Sequence, residues 1–496
     1  MENYGTRVTV VEPHGLEVIG PSERHGRPFD LFSLWFAANA ETATFAVGIL
    51  TIALYGTSYR GAALGIVIGN VLAYSVVALL SQLGPRYGRP QMMISRRVFG
   101  ATGNTVPAVL SFLAGVGWFA ISSMLGSQAL ALVLHVDYYV ALAIALVTQI
   151  VIAVYGHNMI HFFEKFAGIA LTLGFFVLSI AIFSRAQLAA PFDAHAPYAG
   201  GGEFAGIVYS AALAFSYAVG WGPSASDYSR YLPLDTSRRA IFGWAFLGGF
   251  LPSTALELAG AAAVTATIAP GLADATPAQL IQTLFGSGAL ARVGLVTVVF
   301  GTLSANCLNL YSGAMSALTA WDPRRRPSLA LRAGLFFFAL TALVATLARA
   351  SDPAAASLGS ATILAAALAV GILSALVVRY TLVRWQAALG IGIVGGALAL
   401  AGADPAGTAH LYSSFLEVLS LWAAPWAAVV LVRHRIEATE RTGRMATLAW
   451  CGGIAASLVF SQQAWFTGPL AQRFPALGDI SYFVGFAVAY VLAHVL

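Results

Sequence analysis

Long apolar runs fill the chain, separated by short polar stretches, and nowhere do apolar and polar residues alternate one by one over a sustained segment. A bilayer core of roughly 30 Å needs about 20 residues of helix to cross it, and about fourteen segments meet that measure. They run over 31–56, 61–83, 104–134, 138–157, 163–184, 205–231, 239–267, 290–320, 329–350, 356–380, 385–402, 409–432, 445–461 and 479–495. Lipid offers no water to satisfy open backbone groups, and the ten-residue alternation of a membrane barrel is absent, so each segment is read as a helix. The expected fold class is an all-α integral membrane protein.

Composition agrees: 58% of the 496 residues are hydrophobic, 9% are charged, and the mean hydropathy is +0.78, which excludes an ordinary soluble domain. The net charge of +5 is scattered between apolar runs, so it marks topology and not a nucleic-acid surface. Threading the spans from a cytoplasmic N-terminus puts Arg7, Arg24, Arg27, Arg86, Arg89, Arg96, Arg97, Lys165, Arg230, Arg238, Arg239, Arg324, Arg325, Arg326, Arg379, Arg384, Arg433, Arg435, Arg441 and Arg444 inside. Arg60, Arg185, Arg292, Arg349 and Arg473 fall outside. The first 28 residues lack a continuous apolar core and read as a polar cytoplasmic tail, not a signal peptide. The expected location is the inner cell membrane, crossed many times. Cys307 and Cys451 lie in apolar runs, with no disulfide framework between them.

Candidate chemistry sits inside the spans. Gly61, Gly65 and Gly69 recur every four residues and read as a packing seam. Asn39 and Glu41 lie mid-span in the first segment, where an acid is costly and so faces a cavity, pairs, or exchanges protons. In the sixth span, Gly220-Trp221-Gly222-Pro223 combines a lost amide donor with relaxed backbone, so the helix should be interrupted. Two interrupted spans five apart are the expected sign of an inverted-repeat transporter with its site at the bilayer midplane. Glu257 and Glu417 are further intramembrane acids, with pairing inside the bundle as one reading. Asp227, Arg230, Asp235, Arg238 and Arg239 read as loop charges able to gate through ion pairs, though solvated loop charges are commoner. His157 and His161 are read as interfacial. Phosphate-loop, nucleophile-elbow and zinc spacings are absent, so neither an enzyme nor a cofactor is expected.

An ordered set of motifs carries a resemblance. It comprises Pro21-Ser22-Glu23-Arg24, Trp35 and Asn39, Gly88-Arg89-Pro90 through the loop to Arg97-Val98-Phe99-Gly100, and Gly117-Trp118-Phe119. It continues with Trp221-Gly222-Pro223, Ser226 to Pro233, and Asn306-Cys307-Leu308-Asn309. Over about 20–320, and again about 385–435, the chain resembles the nucleobase:cation symporter-1 family, purine-cytosine permease branch. The resemblance implies a LeuT-type core of five plus five helices, here with additional helices, since relatives typically have twelve spans. It divides the chain into a cytoplasmic tail (1–30), a first repeat (31–184) and the start of the second (205–320). A probable extra helix pair (321–383), the rest of the second repeat (384–435) and a C-terminal pair (436–496) follow.

The function implied is import of a purine, cytosine, uracil, hydantoin, allantoin or similar planar heterocycle by cation symport and alternating access. A carrier of the same fold for another small metabolite, such as an amino acid or a vitamin pyrimidine, is the alternative. By resemblance the heterocycle stacks between Trp118 and Trp221, and Asn309, Ser122, Asn39, Glu41, Asn306 and Gly220 complete its site. The coupling ion, Na+ or H+, maps onto Ala38, Glu41, Gly301 and Ser304. Ala305 stands where the family has a second hydroxyl, which Thr302 would replace, or a proton on Glu41 would make needless. No partner beyond substrate, ion and lipid is expected, and the pattern assigns no oligomeric state.

Overall fold

A computed structural model of the chain describes residues 5–266, 276–320, 383–401, 405–463 and 466–496. Its helices in chain order are α1 (Pro28–Asn39), α2 (Thr42–Ala53), α3 (Tyr59–Ser81), α4 (Leu83–Tyr87), α5 (Gln91–Gly103) and α6 (Thr105–Leu134). Then come α7 (Tyr138–Tyr155), α8 (His157–Phe183), α9 (Gly202–Val219), α10 (Ala225–Ser229), α11 (Arg238–Thr265), α12 (Pro277–Phe285) and α13 (Ala289–Ala320). The last are α14 (Arg384–Ala401), α15 (Pro405–Arg433), α16 (Glu440–Phe460), α17 (Pro469–Arg473) and α18 (Ser481–Val495). Among the described residues nine helices are long and apolar enough to cross a membrane, and α1 with α2 forms a tenth span bent by 57°. The shorter apolar helices α14 and α18 match the expected segments 385–402 and 479–495. The expected pair at 329–350 and 356–380 lies outside the described residues, so a total of about fourteen is not shown.

Local chemistry sets the breaks. Pro28 opens α1, where its missing amide costs nothing, and the Arg27 N–H donates to the Asp30 carboxylate at 2.7 Å. Helix α1 stops at Asn39; Glu41 is extended (φ −133°, ψ 172°) and α2 starts after it. Helix α9 ends at Val219, and a short 3-10 turn through Pro223 leads into α10. The first span is therefore truly broken, as expected, whereas the sixth stays one span, Ala199–Ser229, whose helix only tightens into a 3-10 turn at Gly222–Ser224. Another expectation needs correcting: of residues 88–100, read as a loop, those from Gln91 on fold into α5. Helix α5 buries Ile94, Val98 and Phe99 while Arg96 and Arg97 stay half-exposed, so it is amphipathic and too short to span.

The Gly61/Gly65/Gly69 stripe packs as read. A Cβ on Gly65 would lie 2.4 Å from the Ile207 carbonyl oxygen, and one on Gly69 2.3 Å from that of Ala211, so α3 and α9 touch backbone to backbone. Helices α6 and α13 cross as closely, with the Cβ position of Gly115 3.0 Å from the Gly313 Cα.

The segment before α1 is not a solvated tail. Glu12 is buried, its N–H donates to the Tyr155 carbonyl at 3.0 Å, and its carboxylate meets Arg230 at 2.9 Å and Arg384 at 3.4 Å. Tyr231 and Tyr311 donate hydroxyls to the same carboxylate, as does the His157 N–H. Arg230 also donates to the Gly15 carbonyl, and Arg24 to those of Pro85 and Leu232. Arg230 and Asp227, read as loop charges, are both buried: an ionised side chain leaves water here because a partner is supplied, as Glu12 does for Arg230.

Burial alone raises the Glu12 pKa, but Arg384 and Arg230 outweigh it and hold the group below its ordinary 4.5. A depressed carboxylate contributes its stability fully above that ordinary value and loses it as pH falls through the lowered one, so the lock should not vary across neutral pH. Removing one partner of such a buried pair costs about 3–5 kcal/mol. In Glu12→Gln, hydrogen exchange at the Glu12-position and Ile19 amides should therefore accelerate by roughly 100-fold or more at pH 7. Wild-type protection should stay flat from pH 6 to 8.

Candidate functional site

The first-span break and the sixth-span turn meet at Asn39. Its Nδ2 donates to the Trp35 carbonyl at 2.8 Å, and its carbonyl oxygen accepts from Thr44 Oγ1 at 2.6 Å. Its Oδ1 accepts twice, from Trp221 Nε1 at 2.9 Å and from Tyr74 Oη at 2.7 Å. Tyr74 is also within 2.6 Å of Ser253 Oγ on α11. One amide thus ties the first span's break to the sixth span's turn and to the second and seventh spans. Trp35 packs edge-on to Trp221 at 5.5 Å between centroids.

Glu41 points elsewhere. Its Oε1 accepts from Tyr217 Oη at 3.2 Å and its Oε2 from Ser122 Oγ at 3.4 Å, and Tyr217 Oη lies 2.6 Å from Thr44 Oγ1. Ser122 lies one turn after Trp118 on α6. Tyr217, Tyr412 and Phe415 pack around Trp118 at centroid distances of 5.6, 6.0 and 5.1 Å, all edge to face. That packing fixes the indole plane. Gly220 keeps the sixth span close: a Cβ there would stand 3.4 Å from Trp118 Nε1 and 2.8 Å from Leu419 Cδ2. Trp118, Trp221, Gly220, Ser122, Asn39 and Glu41 therefore share one region.

Asn309 and Asn306 play different parts. The Asn306 Nδ2 donates to the Phe119 carbonyl, Ser123 Oγ and Gln149 Oε1, at 3.2, 3.0 and 3.1 Å, so it is spent inside the bundle. Its Oδ1 accepts from Asn309 Nδ2 at 3.1 Å. Asn306 orients Asn309, whose carbonyl lies 3.2 Å from the Cβ position of Gly115, one turn before Trp118.

The candidate cation residues form a second cluster where α13 crosses the first-span break. The Cβ position of Gly301 is 2.6 Å from the Ala40 carbonyl oxygen and 2.9 Å from the Glu41 Cα. Ala38, two residues before Ala40, is buried. Ser304, on the same face of α13 as Gly301, donates to Glu164 Oε2 at 2.5 Å. Thr302 packs against the third span, with Oγ1 2.5 Å from the Cβ position of Gly126. The oxygens located at this cluster are the Ala40 carbonyl, the Ser304 hydroxyl and the Glu164 carboxylate.

Sequence reasoning missed Glu164, Tyr217, Tyr74, Tyr412 and Phe415. Starting the fifth span at 163 put Glu164 at a membrane end, where a charge is unremarked; the helix starts at His157 and places it inside. The tyrosines carried no signal in an aromatic-rich chain.

A broken first span, a tightened sixth span and a buried polar site between them define a multi-pass membrane carrier. The chain belongs to the family of permeases for cytosine/purines, uracil, thiamine and allantoin, whose model matches residues 18–384. The purine-cytosine permease fcyB of Emericella nidulans is 26% identical over 97% of this chain and 87% of its own length. YxlA of Bacillus subtilis, assigned by name to the purine-cytosine permeases, is 26% identical over 98% of this chain and 96% of its own. Among solved structures the fold is similar to that of Mhp1, a nucleobase-cation-symport-1 family transporter, in a closed conformation with bromovinylhydantoin bound. That match has a TM-score of 0.61 and 17% identity, covering 97% of this chain and 94% of the other.

Asn39→Ala leaves the buried Trp221 indole N–H and the Tyr74 hydroxyl without their shared acceptor, at about 1–3 kcal/mol for each group left unsatisfied. Thermal unfolding of the purified variant should fall by several degrees, and more than for Ser253→Ala, which leaves Tyr74 its Asn39 bond.

Proposed function

We propose that the chain is a secondary active transporter that imports a nucleobase or related planar heterocycle by cation symport and alternating access. The observation that carries this reading is the Trp118 indole beside Gly220, the residue before Trp221, with Asn39 bonded to Trp221 and Glu41 to Ser122 one turn from Trp118. Flat heterocycles offer two π faces and an edge of donors and acceptors. The indoles supply the faces. Glu41 and the amide of Asn309 supply acceptors and donors for the edge, with Asn306 holding Asn309 and Tyr217 holding Glu41.

Further support comes from the relatives named as purine-cytosine permeases and from the bromovinylhydantoin of the structural neighbour. Alternating access needs a site reachable from each side in turn. Leu419 and Phe415 of α15 cover Gly220 and Trp118, and the Glu12–Arg230–Arg384 lock closes the face on which the N-terminal segment packs. The clustering of Arg residues in alternate loops supports a cytoplasmic N-terminus, which makes that lock the inner gate. The halves 31–184 and 205–435, less the stretch 321–383, serve as the two repeats of this mechanism.

Purified protein screened by thermal unfolding against nucleobases, hydantoins and amino acids tests the reading, because a ligand at about 100 times its Kd adds roughly 2.7 kcal/mol of apparent stability. A flat heterocycle should stabilise the wild type. Trp118→Ala and Trp221→Ala should each weaken that binding by at least about 100-fold, roughly 3 kcal/mol, while the ligand-free proteins stay folded. Stabilisation confined to amino acids, or undiminished in both variants, would remove the stacking model.

A further inference from the structure

Glu164 is a carboxyl group inside the fifth span that the substrate reading leaves unused. It is fully buried, and among the described residues no basic side chain pairs with it. Its neighbour Lys165 turns to Asp30 at 3.5 Å. The titratable side chains within its electrostatic reach are Cys307 on α13 and Tyr228 on α10, a thiol and a phenol, neither a base. Glu41 lies across the break and is engaged by Tyr217 and Ser122. Oε2 accepts from Ser304, whereas Oε1 is buried with no partner.

Three elements converge at this carboxylate. Helix α13 brings Ser304, with Gly301 one turn away against the Ala40 carbonyl. Helix α8 brings Glu164, and one turn on, the Cβ position of Gly168 is 3.7 Å from the Ala37 Cβ, so α8 runs along the end of α1. The C-terminal end of α1 brings carbonyls and the negative end of a helix dipole. At Ala305 the second hydroxyl that the family resemblance leads one to expect is a methyl group.

We propose that Glu164 is a ligand of the coupling cation, that it replaces the oxygen missing at Ala305, and that the cation is Na+. A proton on Oε2 would leave Oε1 still unpartnered, and a proton on Oε1 would have no acceptor, whereas a metal cation satisfies both oxygens and neutralises the charge. The ion's remaining ligands are Ser304 Oγ and the carbonyls at the Ala38–Glu41 break. The proposal rests on the transporter reading for its meaning, but not for its measurement.

The test is thermal unfolding at constant pH and ionic strength with Na+ exchanged for choline, without any heterocycle. Wild-type protein should gain stability saturably with Na+. In Glu164→Gln the midpoint of that gain should rise at least tenfold or the gain vanish, and adding Ala305→Ser to it should bring the response back. Should Glu164→Gln fail to fold, Glu164→Asp, which keeps the charge on a shorter arm, should show a raised midpoint. The idea is overturned by a wild type that ignores Na+, or by a Glu164→Gln or Glu164→Asp protein that responds to Na+ as the wild type does. Failure of every heterocycle to bind would overturn the substrate reading alone, since the Na+ titration contains none.

Discussion

A helix broken inside a membrane leaves carbonyl and amide groups that lipid cannot satisfy, and everything at the centre of this molecule follows from how those groups are answered. Asn39 answers part of this at the first break. Its main-chain oxygen takes the Thr44 hydroxyl across the first break, its amide nitrogen takes the Trp35 carbonyl, and its side-chain oxygen takes the Trp221 indole from the sixth-span turn. A hydrophobic residue there would leave only ring packing, Trp35 on Trp221, between the two spans. Because one side chain serves both, the indole that faces the proposed substrate is positioned by the same bonds that make the interruption tolerable.

Acids are treated in two opposite ways, and the contrast separates closing the structure from working it. Glu12, outside the spans, is matched by two arginines and by hydroxyl donors, which suits a fixed lock. Glu41, Glu164 and Glu257, within the spans, meet hydroxyl or amide donors and no basic side chain among the described residues. An arginine beside any of these would satisfy the charge permanently and leave nothing for a ligand to do. Neutral donors hold the carboxyl in place while keeping its capacity to accept a substrate N–H or a cation.

Much of this was legible in the residues. The break at Asn39–Glu41 and the tightened turn at Gly220–Pro223 follow from polar and helix-breaking residues in apolar runs, and the Gly61–Gly65–Gly69 seam follows from spacing. What escaped depends on packing between distant segments. Glu12 reads as one more charge in a polar stretch until Arg230 and Arg384, far away in sequence, are brought to it. Asn306 and Asn309 look equivalent in sequence, three residues apart, yet Gln149 and Ser123 claim the first, while the second bonds to Asn306. Helix periodicity gives the face a side chain occupies, but not which neighbour has already taken its hydrogen bonds.

Helix α13 joins the two clusters. Gly301 and Ser304 lie against the first-span break and Glu164, while Asn309, one to two turns on, is held beside the crossing with α6 that positions Trp118. Glu41 does the same from the other side, with its backbone against Gly301 and its carboxylate between Ser122 and Tyr217. In the proposed mechanism, a cation that fixes α13 against the break also fixes the residues proposed to face the heterocycle, and the heterocycle in turn holds the proposed cation ligands in place. Such reciprocity is what thermodynamic coupling requires of two sites. Here it needs no long pathway, because the two sites share one helix and one interrupted turn.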